Sequence, residues 1–173
     1  LTRAVARPST CRQAGGGAIL VDPEREPPPV IERTARRTVA IHALVALLAI
    51  QGVSGLLGGV GLIADPGGQA VGLPLEWLRG SPFDDYFVPG LVLLTVLGIG
   101  PLVVSLALWR ARPWSRVGSI LVGLALLVWI GVQILVVGYR AEPPLQAAYG
   151  LLGMMITVLA ALPPVRRYVA SNG

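Results

Sequence analysis

Apolar residues run almost unbroken through four stretches of the chain, about 38–63, 88–109, 117–139 and 145–162, each near the ~20 residues that carry an α-helix across a bilayer. Polar and helix-breaking residues collect between them. The pattern predicts an all-α integral membrane protein, a four-transmembrane-helix bundle forming one membrane domain over residues 30–168. Residues 1–29 are rich in Arg, Pro, Gly and acidic side chains and end in Pro27-Pro28-Pro29, so they bury too little apolar surface to fold alone and read as a disordered tail. They lack the apolar core and cleavage site of a secretory signal. Residues 169–173 read as a second short tail. Val30, Ile31, Thr34 and Thr38 predict that the first helix starts at the membrane surface, with Arg33, Arg36 and Arg37 at headgroup level.

The loop over 64–87 is too apolar for a free linker. Asp65-Pro66-Gly67-Gly68 predicts a turn, and Leu73-Pro74-Leu75-Glu76-Trp77-Leu78-Arg79-Gly80 predicts a short interfacial helix, with Pro74 in its first turn and Gly80 at its end. Asp84 or Asp85 is placed to cap the second helix. Within that helix, Gly98-Ile99-Gly100-Pro101 predicts a kink, because Pro removes a backbone donor and crowds the preceding turn.

Helices in lipid associate by close backbone approach, so small residues four apart mark packing faces. Ser54 and Gly58, then Gly55 and Gly59, form such pairs in the first span, and Ser119 with Gly123 repeats the spacing in the third. Packing within one bundle and homo-oligomerisation both use this pattern.

Composition agrees with a lipid-facing chain, with 54% hydrophobic and 13% charged residues. Charge adds orientation. All fourteen basic residues are Arg: seven precede the first span, three lie between spans two and three, and two follow span four. Only Arg79 and Arg140 fall in the other two loops, which also hold Asp65, Glu76, Asp84, Asp85 and Glu142. The positive-inside rule then predicts both termini in the cytoplasm and a cell-membrane location. The pI near 10.3 has a topological origin, since the arginines carry no interleaved aromatics or recognition motif, and no nucleic-acid partner is expected.

Candidate chemistry is sparse. Cys11 is the only cysteine and His42 the only histidine, which excludes an intramolecular disulfide, a CxxC pair and a His/Cys zinc site; no metal or cofactor is expected. Trp129 and Gln133 lie four apart on one face of the third span, with Arg140 roughly in line, and a buried Gln amide needs partners. Gln51, mid-way along the first span, is the expected interhelical hydrogen-bond partner. Together Trp129, Gln133 and Gln51 are the candidates for a ligand pocket. Asp84 or Asp85 paired with Arg140 would restrain the outer loop. The same Asp84 and Asp85, or Glu76, are the candidates for acid or base in an enzymatic alternative.

Leu73-Pro74-Leu75-Glu76-Trp77-Leu78, Gly80-Ser81-Pro82-Phe83-Asp84-Asp85-Tyr86 and Pro89-Gly90-Leu91 resemble a family of bacterial four-span membrane proteins, common in actinobacteria, whose activity is uncharacterised. The resemblance covers roughly residues 38–162, and Gln133 and Tyr149-Gly150-Leu151-Leu152-Gly153 are similar as well. The arrangement of spans also looks like that of DoxX-like membrane proteins, a likeness of topology that transfers no redox activity. The expected role is a non-enzymatic scaffold, or a binder of membrane lipid, a small apolar molecule or a protein partner. The alternative is a membrane-embedded isomerase or oxidoreductase accessory acting on a lipid-like substrate.

Overall fold

The computed structural model describes residues 30–139 and 144–172. The expected tail at 1–29, and Arg140 and Glu142, lie outside the described residues. Those described are helical wherever they are regular. Helix α1 is Val30–Ala64, α2 is Phe87–Trp109, α3 is Ser115–Val137, α4 is Leu145–Ala161 and α5 is Pro163–Asn172. Three helices are long and apolar enough to cross a membrane: α1 from Val39, α2 and α3. A fourth crossing of that kind exists if α4 and α5, bent by 56°, are counted as one. Much of the bundle surface is apolar, with Leu57 71% and Leu135 87% exposed, as helices bathed in lipid require.

The helices form a ring. α1 packs along α2 and α3 along α4, the second half of α2 lies on α3, and α1 also meets α4. The end with the 110–114 turn is solid: Leu44, Leu48, Leu108, Ile156, Ala160 and Val165 are all buried in one cluster. At this turn α2 closes with Arg112 N donating to Ala107 O at 2.9 Å, and Ala111 takes the left-handed conformation that glycine usually supplies there. The opposite end, carrying the loop over 65–86, holds two smaller clusters, Leu62-Leu78-Tyr86 and Leu97-Leu126-Ile130.

Glycine sets the α1–α2 contact. A Cβ on Gly55 would fall on the Leu97 carbonyl, and one on Gly59 would come within 2.6 Å of Leu94 N. Ser54 and Gly58 border an open cleft, as Gly55 does, and a Cβ on Gly58 would come within 3.0 Å of the Leu93 side chain of α2. Gly123 is pressed against Thr157 and the Gly153 carbonyl of α4, and Ser119 is fully buried, donating to Ser115 O at 2.8 Å.

Directly before Gly100-Pro101, where a kink is expected, the helix contains a π-turn, Thr95–Ile99. Such a turn inserts an extra residue and re-aims the helix. Phe87–Leu94 packs on α1, and the continuation from Thr95 onward packs on both α1 and α3.

Two expectations are corrected. The interfacial helix is two isolated 3₁₀ turns, Gln69–Val71 and Leu75–Leu78, because Gly68, Gly72 and Gly80, each with positive φ, interrupt the segment. The tail expected from residue 169 begins inside α5, whose Val165 and Val169 are buried in the core. Pro163-Pro164 stops α4 by removing two donors without ending helical structure. Arg116 Nε donates to the freed Ala160 carbonyl at 3.2 Å, tying α3 to the bend. Arg116→Met is expected to lower stability by about 1 kcal/mol, a value set low because the guanidinium is only partly buried. Faster amide exchange over 163–172, with the rest of the bundle unchanged, is the check.

Candidate functional site

At the loop end of the ring, where Phe87–Leu94 packs on α1 and not closely on α3, lies a cleft of about 400 Å³. This lies within the range of small-molecule sites. The loop roofs it: the Leu75–Leu78 turn reaches across to α3, and Leu73, Trp77, Phe83 and Tyr86 line its underside.

The roof is held by backbone and by two side chains. Asp65 accepts Gly67 N–H at 3.1 Å and Ala70 N–H at 2.7 Å through its two carboxylate oxygens. Tyr86 donates its backbone N–H to Pro66 O and its phenol to Pro74 O, both at 3.0 Å. Gly68 sits beneath the Tyr86 ring, where a Cβ would strike Leu73 O. Burial pushes the Tyr86 phenol above its ordinary pKa of 10.0. A raised pKa in the folded state means that the neutral phenol stabilises the roof below pH ~10, and that this stability is lost as pH rises through the folded value. Tyr86→Phe is expected to cost about 1 kcal/mol near neutral pH and to remove this alkaline step. Amide protection over 66–86, followed as a function of pH, reports both.

Gln51 forms part of the cleft wall and is 1% exposed. Its Nε2 donates to Leu97 O at 3.2 Å, and Leu97 is the residue whose carbonyl would ordinarily bond the N–H missing from Pro101. The partner is therefore a backbone group of α2, not the Gln133 side chain expected from the sequence. The Leu97 carbonyl only accepts, so it fixes the amide orientation and leaves Oε1 turned elsewhere. Among the described residues Oε1 has no hydrogen-bond partner, a state that costs about 1–3 kcal/mol.

Trp129 and Gln133 are half-buried and line the same cleft as Gln51. Gln133 has no hydrogen bond among the described residues, so its amide is available inside the cleft. Two lining residues were not grouped with them from sequence: Gln146, whose Nε2 donates to Gly138 O at 3.1 Å, and Tyr149. Their signal was the three-residue spacing of two polar side chains on one face of α4, near the level of Gln133.

The residues described around the cleft include no Asp, Glu, Arg, Lys or His. Glu76, Asp84 and Asp85 are exposed and stand outside it. Asp85 Oδ1 instead accepts the Phe87 N–H at 2.9 Å, satisfying a free donor in the first turn of α2. The restraint expected between these aspartates and Arg140 lies outside the described residues. Ser54 in the cleft wall spends its hydroxyl proton on Gln51 O at 2.9 Å. His42 stands at the other end of the bundle, edge-on to Trp109 with ring centroids 5.9 Å apart. Among the described residues no three His, Cys, Asp or Glu side chains gather as metal ligands.

No family model, curated protein or solved structure matches this chain. Functional inference therefore starts from the cleft itself: an apolar chamber with uncharged amide groups in its wall, beneath a hydrogen-bonded roof.

Proposed function

We propose that this chain is a non-enzymatic four-span protein of the bacterial cell membrane that holds a lipid or small apolar molecule in its cleft. The observation that carries this reading is the cleft's side opening. Val88 and Val92 of α2 and Val132 and Val136 of α3 line the cleft and are also exposed on the bundle surface, so the chamber is continuous with the apolar exterior. A ligand in the bilayer reaches Trp129, Gln133 and Gln51 without crossing water. Four crossings follow when the bent pair α4 and α5 is taken as one broken span, a form tolerated where neighbouring side chains satisfy freed carbonyls, as Arg116 does. That count, with twelve of the fourteen arginines in alternate segments, supports both termini on the cytoplasmic side and the roof on the outer side. The resemblance to four-span bacterial proteins agrees with this topology.

The enzymatic alternative needs a proton donor or acceptor beside the bound molecule, and Glu76, Asp84 and Asp85 do not line the cleft. Binding, not turnover, is the chemistry that Gln, Ser and Trp side chains support here.

Native mass spectrometry with lipidomics on protein in nanodiscs tests the reading. A specific lipid or apolar molecule is expected to accompany the native chain and to fall at least tenfold in a Trp129→Ala/Gln133→Ala variant that keeps its fold, in line with losing ~1.4 kcal/mol or more of contact. Equal retention by both proteins would reject the cleft as the binding site.

A further inference from the structure

The end of the bundle opposite the cleft gathers cations without a described counter-charge. Arg110 and Arg112 stand exposed in the turn between α2 and α3, and Arg166 and Arg167 stand exposed on α5. Beyond the bend at Pro163-Pro164, α5 is held against this end: Tyr168 donates its phenol to Trp109 O at 3.4 Å, and α5 also packs on α3. The turn joins α2 to α3, so α5 lies beside it. Arg110, Arg112 and Arg166 make no side-chain hydrogen bond or ion pair among the described residues. Every described carboxylate side chain, Asp65, Glu76, Asp84 and Asp85, belongs to the loop at the other end. By sequence, the first turns of α1 add Arg33, Arg36 and Arg37 against Glu32.

Setting topology needs arginines only on one side of the membrane. It does not need a helix after the last span to be ordered beside the turn, which brings like charge to like charge at a Coulomb cost. An anion seated among the guanidinium groups reverses that cost, and the planar fork of arginine suits the oxygens of a phosphate. α3 begins here too, with no side-chain cap, and its positive end adds to the attraction.

The surface next to the arginines favours a lipid over a free anion. Leu106 sits one turn before Arg110 at the end of α2, and Val117 and Leu121 follow Trp114 at helical spacing along α3. All three are exposed, as are Trp109 and Trp114, whose rings are of the kind that settle at head-group level. A phosphate at the arginines has bare apolar helix surface beside it for acyl chains.

We infer that this end of the bundle docks an acidic phospholipid, its phosphate held by Arg110, Arg112 and Arg166 and its chains laid along α2 and α3. The cleft plays no part in this docking, so the inference stands apart from the proposed function.

Native mass spectrometry of the full chain in mild detergent, with phosphatidylglycerol and phosphatidylcholine of identical chains added in equal amounts, is the test. The phosphatidylglycerol adduct is expected to exceed the phosphatidylcholine adduct about tenfold. In Arg110→Gln/Arg112→Gln/Arg166→Gln this ratio is expected to fall to within about twofold, whereas Arg3→Gln/Arg7→Gln/Arg12→Gln, with the same loss of net charge, keeps it. Arg166→Gln alone leaves the loop charges that direct insertion intact, and is expected to lower the ratio about threefold. Equal adducts of the two lipids on the native chain would overturn the inference. An equal fall in both triple variants would also overturn it, by showing that net charge and not this patch attracts the lipid. Glycerol 3-phosphate, which carries the phosphate without chains, is expected to leave the adduct in place at equal concentration; displacement by it would overturn the lipid in favour of a free anion. The native-chain ratio and Arg166→Gln decide the matter even if the triple variant at the patch fails to insert.

Discussion

Gly55→Ala is expected to destabilise the bundle by about 3 kcal/mol, the upper end of the usual cost of overpacking. The new Cβ would land on the Leu97 carbonyl and lie within 2.8 Å of Gly98 N, and backbone on both sides gives it no flexible neighbour to displace. Moving Leu97 away would also break the Gln51 hydrogen bond, so the damage spreads from the α1–α2 contact to the cleft wall. Gly55→Leu is expected to prevent assembly. Gly131→Ala is the matched control: no atom stands within 4 Å of its Cβ position, and exchanging Gly for Ala mid-helix gains about 0.5–1 kcal/mol. Thermal unfolding in nanodiscs should separate the two alanine variants clearly. The same Tm for both would refute the close approach of α1 to α2.

Gly123→Ala should weaken the other helix pair by about 2 kcal/mol. Its Cβ would meet Thr157 Oγ1 and come within 2.9 Å of Gly153 O and 3.0 Å of Thr157 N. Only the first obstacle is a side chain. Thr157→Ala in the same chain is therefore expected to restore a part, about 0.5–1 kcal/mol, and leave the rest, because the two backbone atoms remain. Strict additivity in this double-mutant cycle would show that the hydroxyl is not the atom in the way.

The helices were legible because hydrocarbon forces each crossing segment to be apolar along its whole length and to satisfy its own backbone. Positions around each helix were less so. Gly55-Gly59 and Ser54-Gly58 carry the same spacing, and only the placement of α2 shows that the first pair meets its backbone whereas Gly58 meets a side chain. Trp129, Gln133 and Gln51 were singled out as polar or aromatic exceptions, and the structure brings all three to one chamber. The chamber lies beside the half of α2 that precedes the π-turn, and a glycine-proline segment signals a break in helix geometry without showing where space opens around it. α5 was hidden by Pro163-Pro164, although Val165 and Val169, four apart and both buried, carry the helical period. The short interfacial helix failed for the opposite reason: Leu75, Trp77 and Leu78 have a helix's apolar content, but glycines in left-handed conformation cut the segment to single turns.

Two carbonyls, Leu97 O near Pro101 and Ala160 O near Pro164, are each met by a side chain from another helix. Each proline thereby turns a gap in one helix into a rivet to the next. The rivet has two halves encoded far apart in the chain. An alanine at 101 would let α2 bond its own Leu97 carbonyl, and the amide at 51 would then have lost its structural reason to be polar. Among variants selected for folding, an apolar residue at 51 should therefore be tolerated far more often once Pro101 has gone.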